Sequence, residues 1–198
     1  MKRIHEKACL LISVLCLFII AGCATTPSPT YYQLEEPASS LLGGVERGLA
    51  IGVELLNVAA YLDRPQIVTR VTDHKLELSE SNMWAEPLKE SIVRVIGVNL
   101  SNMLDTNRVF RLPRRDKSIP LDFRVALTIT RFDGTLGGEA RLTARWNLYS
   151  QKDTLVLTRV SIISQPSDGQ GYDNLIAAQN LALQNLSREI ADAIGASM

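Results

Sequence analysis

The chain has 198 residues, 46% of them hydrophobic, with 21 lysines and arginines against 21 aspartates and glutamates. That length suits one domain with a real core. The even charge excludes the strong positive field by which nucleic-acid binders find their target.

The N-terminus carries the most local information. Lys2, Arg3 and Lys7 form a positive start, and an apolar run follows from Ala8 to Ile20, broken by Ser13. A charged start, a short apolar stretch and small residues after it define a secretory signal peptide. The run is shorter than the ~20 residues a membrane span needs. It ends in Ile20-Ala21-Gly22-Cys23, which resembles the bacterial lipobox. In that motif the cysteine thiol takes a diacylglyceryl group, the bond before it is cut, and the new amine is acylated. Several acyl chains anchor well because each buried methylene contributes ~0.8 kcal/mol. Ala24 follows the cysteine; by resemblance to Gram-negative lipoproteins, an Asp there would favour the inner membrane, so Ala24 implies the outer one. The expected division is a signal peptide over 1–22, a lipidated Cys23 with a tether over 23–30, and one periplasmic domain over 31–198.

Cutting before Cys23 removes Lys2, Arg3, Lys7 and Glu6, so the remainder carries 18 basic and 20 acidic residues, a balance of about −2. It also removes Cys9 and Cys16. Cys23 is then the only cysteine, and lipid consumes it, so the domain has no thiol for a disulfide, a metal or catalysis.

The tether, Ala24-Thr25-Thr26-Pro27-Ser28-Pro29-Thr30, is small and proline-rich, with extended bias. Tyr31-Tyr32-Gln33-Leu34 opens a first strand. Residues 35–48, with Pro37, Gly43, Gly44 and Gly48, read as a loop. An apolar run over 49–58 reads as a buried strand. Residues 66–71 and 75–79 flank Thr72-Asp73-His74 as a hairpin. A helix starts at Pro87, a favoured first-turn residue. Its stripe is Leu88, Ile92, Val95, Ile96, Asn99, Met103 and Leu104, the 3.6-residue period. Residues 108–112 make a short strand.

Three longer strands follow. Leu121, Phe123, Val125, Leu127 and Ile129 alternate with polar residues, blurred only at Ala126; Ala140, Leu142, Ala144, Trp146 and Leu148 alternate likewise, and Val156, Val160 and Ile162 continue a third run. Period-2 alternation with one polar face indicates antiparallel strands covered on one side. Asp133-Gly134 with Gly137-Gly138 marks the first turn, and Gln151-Lys152-Asp153 the second. A second amphipathic helix spans 172–194. The predicted class is α+β: an antiparallel sheet with two amphipathic helices packed on one face, in the order strands, helix, strands, helix.

Several segments carry a resemblance. Tyr61-Leu62-Asp63-Arg64-Pro65-Gln66-Ile67-Val68-Thr69-Arg70 resembles the signature of the PqiC/YmbA family, the ABC-type transport auxiliary lipoproteins. Trp84-Ala85-Glu86-Pro87-Leu88 resembles that family's helix entry, Arg131-Phe132-Asp133-Gly134 its central hairpin, and residues 139–148 with Arg145-Trp146 the next strand. The resemblance implies an outer-membrane lipoprotein facing the periplasm of a Gram-negative bacterium. It implies an auxiliary part of an MCE/ABC-type intermembrane lipid transport system that supports envelope integrity. The implied partners are the outer membrane, through the N-terminal lipid, an MCE-type periplasmic protein, and further copies of the chain in a homo-oligomeric ring. A structural lipoprotein assisting assembly of another envelope complex is the alternative. Tyr61, Asp63, Arg64, Pro65, Arg70, Trp84, Glu86 and Pro87 are open to two roles, fixing the fold or forming an interface, since aromatics and arginines also anchor interfaces. The sequence offers Arg64 and Arg70 as partners for Asp63, Glu77 or Glu86, and Trp84 as a staple at the helix entry.

Catalytic patterns are missing. His74 is the one histidine after the signal peptide, and it falls in a turn, so no zinc set is expected. No Gly-x-Ser-x-Gly elbow and no Walker loop occur. The expectation is a non-enzyme with no cofactor, no metal and no nucleic-acid partner. Arg108, Arg111, Arg114, Arg115 and Lys117 form a basic cluster that reads as a solvated loop or as a contact for lipid head groups or an acidic partner.

Overall fold

The computed structural model describes residues 28–37, 48–112 and 120–198. The signal segment, Cys23, Gly43, Gly44 and the cluster members Arg114, Arg115 and Lys117 lie outside the described residues. Among the described residues ten elements follow in order: β1 (Thr30–Tyr32), β2 (Ile51–Val58), β3 (Gln66–Thr72), β4 (Lys75–Trp84), α1 (Leu88–Met103), β5 (Val109–Arg111), β6 (Phe123–Gly134), β7 (Glu139–Ser150), β8 (Leu155–Pro166) and α2 (Tyr172–Gly195). The α+β class and the order strands, helix, strands, helix hold.

The pairing differs from one antiparallel sheet. There are two sheets, ordered β1-β4-β3 and β5-β2-β6-β7-β8, and both are mixed. β2 lies parallel to β5 and β6, and β1 lies parallel to β4. The reason is connectivity. Between β2 and β5 the chain makes a hairpin and then the helix α1, a crossover long enough to bring it back in the same direction. Alternation reveals which face a residue takes, but not the direction of its neighbour.

One face of the five-stranded sheet carries Val53, Val125, Leu127, Ile129, Ala144, Trp146 and Leu148, all buried. α1 packs on β2 and β5, α2 on β6, β7 and β8, and the helices touch each other. Their stripes enter the same core: Leu88, Ile92, Val95, Ile96 and Leu100 from α1, and Leu183, Leu186, Ile190 and Ile194 from α2. Each large aliphatic side chain buried there contributes roughly 1.5–3 kcal/mol. Asn99 is inside the α1 stripe as expected, and its Nδ2 donates to Ser187 Oγ at 3.3 Å, so its burial is compensated. Met103 and Leu104 are only half-buried at the helix end.

Two details position the site. Between Ile129 and Arg131 the register of β6 against β7 shifts, a bulge at Thr130. A bulge reverses which side chains face which way. Beyond it Phe132 joins the core, while Arg131 and Asp133 turn to the face away from the helices. Pairing then continues through Gly134, opposite Ala140, so Asp133-Gly134 ends a strand and does not form the turn. The turn is residues 135–138, where Gly137 takes φ +71°. Gly134 is needed for close approach: a Cβ there would lie 2.6 Å from the Glu139 carbonyl and from a Leu175 methyl.

Candidate functional site

Asp133 is fully buried although it faces away from the helices. The loop after β2 and strand β3 cover it. The Tyr61 hydroxyl donates to Oδ2 at 2.7 Å; Arg70 donates Nη2 to Oδ2 at 2.9 Å and Nε to Oδ1 at 3.1 Å. Arg131 adds Nε to Oδ1 at 3.0 Å. A buried carboxylate is costly unless paired and hydrogen-bonded, and this one is both. Burial alone would raise its pKa; the hydrogen bonds from Arg70 and Tyr61, with the Arg131 charge, outweigh it and hold the carboxyl below its usual range. Burial, and then the bond to Asp133, push the Tyr61 phenol up to about 12, so it stays a neutral donor. Arg70 also donates Nη1 to the Asp73 carbonyl at 2.9 Å, and its own carbonyl accepts from Thr135 Oγ1 at 3.0 Å. The β3–β4 hairpin is thereby tied to the end of the β6–β7 hairpin.

A second cluster surrounds Glu86. It accepts from Ser91 Oγ, from Arg94 and, at 3.2 Å, from Gln33 Nε2. The Ser91 bond leads in holding its pKa below the usual range. Arg94 also reaches Glu36 and, at 3.4 Å, the Leu34 carbonyl. The Ala85 amide donates to the Tyr32 carbonyl at 2.8 Å. The segment after β1 is thus strapped to the start of α1, with Leu34 buried beneath it.

The remaining predicted residues take up places around these clusters. Trp84 is buried in the core, and its amide donates to the Pro65 carbonyl at 2.7 Å. Pro87 caps α1, which begins one residue later than expected. Asp63 pairs with Lys89 of α1 at 2.5 Å. The expected ion pairs are therefore corrected. Arg70 belongs to Asp133, Asp63 to Lys89 and Glu86 to Arg94, while Arg64 Nε is buried without a hydrogen-bond partner. Asp133 and Arg94 are the partners that sequence reasoning missed. They lie 63 residues from Arg70 and eight from Glu86, separations with no local signature. Tyr61, Arg70, Trp84 and Glu86 are drawn into the interlock, whereas Asp63, Pro65 and Pro87 stay exposed at its rim.

The residues that resemble a family signature are thus those that lock two sheets and a helix entry together, and they define a class by its fold. The chain belongs to the ABC-type transport auxiliary lipoprotein component family, whose sequence pattern matches residues 32–191. That family describes a transport component and points away from catalysis. The intermembrane transport lipoproteins PqiC of Escherichia coli K12 and of Shigella flexneri are each 26% identical over 168 residues, covering 84% of this chain and 86% of theirs. The fold is shared with a crystal structure from Xanthomonas campestris (TM-score 0.65, 19% identity, 82% of this chain and 92% of that one). It is also shared with the crystal structure of an uncharacterised protein (TM-score 0.66, 22% identity, 85% and 99%). Among the described residues no helix is long and apolar enough to cross a membrane.

Proposed function

We propose that this chain is an outer-membrane lipoprotein, acylated on Cys23 and facing the periplasm, that serves as an auxiliary component of an MCE/ABC-type intermembrane lipid transport system supporting envelope integrity. Family membership across residues 32–191 carries the reading. The lipobox-like Ile20-Ala21-Gly22-Cys23 and the name of the PqiC relatives point the same way. The domain's part is binding and assembly. Its partner is an MCE-type periplasmic protein, recovered in a pull-down of the intact protein from solubilised envelopes. Recovery of assembly factors alone would instead favour a structural lipoprotein. Cys23→Ala is expected to lose the acylated mass and the outer-membrane location together, because the cut before residue 23 follows acylation and the described domain offers no spanning helix to replace the lipid. Retention of that variant in the outer membrane would refute the anchor.

Assembly into a homo-oligomeric ring has physical support at β8. This strand ends the five-stranded sheet. Its row Val156, Thr158, Val160, Ile162 and Ser164 carries no charge, and Ile162 is 76% exposed. Long apolar edges invite strand pairing, and charge is the usual protection. Ile162→Lys is expected to lower the native mass from multimer to monomer while the circular dichroism stays unchanged. A monomeric wild type would remove the ring from the proposal, and an undisturbed multimer would remove β8 from it.

A further inference from the structure

We infer that the end of the domain formed by the β3–β4 hairpin tip and the β6–β7 turn rests on the lipid surface and meets phospholipid head groups through the cleft between them. The inference rests on the anchor at Cys23 and assigns the face that the anchor brings to the membrane.

The direction of chain entry comes first. β1 runs parallel to β4, with Thr30 opposite Asn82 and Tyr32 opposite Trp84. The residues before Thr30 therefore arrive from the side of Lys75, where the hairpin has its tip. Cys23 precedes Thr30 by seven residues in the sequence. At the full extension of a peptide chain that is about 25 Å, so the acylated residue keeps this side of the domain close to the bilayer.

The side chains found there form the second observation. At the two tips Val71 is 46% and Leu136 37% exposed, and Leu78 adds a further exposed aliphatic along the same hairpin. Single exposed apolar residues are ordinary; a pair at adjoining tips, on the side from which a short tether enters, is less so.

The third observation is a cleft of about 150 Å³ between the two tips, with Arg70, Arg131 and Arg141 in its wall and the Thr72 and Thr135 side chains beside them. Arginine presents a planar fork of donors that matches phosphate oxygens. Arg131 gives only Nε to Asp133, which leaves its two terminal nitrogens for a head group. The three arginines are balanced by Asp73, Asp133 and Glu139. The surface therefore has no net field, and the contact suits zwitterionic lipid and resists salt.

The test uses the full, lipidated protein in vesicles of phosphatidylethanolamine and phosphatidylcholine. Single cysteines replace Val71, Leu136 and, as control, Leu155 at the β7–β8 turn on the opposite end of the sheet; each carries an environment-sensitive fluorophore. The acylated Cys23 does not take the label. The expected result is a blue shift and quenching by brominated acyl chains at positions 71 and 136, none at 155, and no change in 0.5 M salt. A response at 155, or none at 71 and 136 in protein of acylated mass, overturns the inference, as does a response that needs an added protein. Loss of the anchor itself is read separately, from intact mass and vesicle flotation of Cys23→Ala.

Discussion

Asp133→Ala is expected to cost about 3–5 kcal/mol of stability, the range for removing one member of a buried charge cluster. In a domain of this size each kcal/mol moves the melting temperature by roughly 2–4 °C, so the variant should melt about 6–20 °C lower. The substitution takes away the acceptor of four hydrogen bonds and leaves the guanidinium groups of Arg70 and Arg131 facing each other beside an unpaired Tyr61 hydroxyl. Both arginines keep some contact with solvent, which places the cost at the lower part of the range. The same cluster gives the stability a pH dependence of definite sign. The folded pKa of Asp133 lies below that of an unfolded aspartate, so its contribution is complete above the ordinary carboxylate range of about 4. It is lost as pH falls through the lower, folded value. Glu86 is shifted the same way and adds to the loss. Wild-type melts by circular dichroism should therefore be flat from pH 7 to about 5 and fall steeply below pH 4. Asp133→Asn, already neutral there, should start lower and fall less. Equal melting temperatures for the wild type and Asp133→Ala would show that the interlock contributes no stability.

How far that cluster was legible follows from its parts. The alternation of Phe123, Val125, Leu127 and Ile129 placed the core face of β6 directly, because burial on one side leaves a period-2 trace. Phe132 then broke the parity, and that break is the visible sign of the bulge at Thr130. Reading Asp133-Gly134 as a turn followed the local propensity of those residues and missed that the carboxylate had partners from another sheet. Strand order was illegible for a related reason. Val53 and Val125 look alike whether their strands run parallel or antiparallel, so the parallel pairing leaves no trace in the sequence. The resemblance segments hold several of the residues that meet, but not the pairings read from the sequence: Arg70 reaches Asp133 and Glu86 reaches Arg94. Tyr61, Arg70 and Asp133 share one cluster, Glu86 belongs to a second, and Trp84 is buried in the core. Charge at these positions holds elements together, which is why no spacing motif of catalysis accompanies it.

Trp146→Ala should be the most damaging single truncation in β7, at about 3–5 kcal/mol for removing a buried tryptophan. The side chain is wholly buried, paired across the sheet with Leu127 on one side and Arg159 on the other. The Nε1 donates to Ser161 Oγ at 2.9 Å, and Ser161 in turn donates to Glu189 on α2. The Arg159 guanidinium lies 5.5 Å from the ring centroid. One indole therefore fills the core, satisfies its own donor and helps fasten the outermost strand to the helix above it. Trp146→Phe keeps most of the volume and forfeits the hydrogen bond, so a loss of about 1–2 kcal/mol is expected. Urea unfolding followed by circular dichroism separates the cases: the midpoint should fall in the order wild type, Phe, Ala, with the slope unchanged if the native fold survives. A midpoint for Trp146→Ala within error of Trp146→Phe would mean that the cavity collapses at little cost, and that the bond to Ser161 carries most of the effect. The order matters for the proposed assembly, because β8 presents a usable edge only while its inner row is held against α2. A variant that loosens Trp146 should therefore lose its multimeric mass at a lower urea concentration than its secondary structure, whereas the wild type should lose both together.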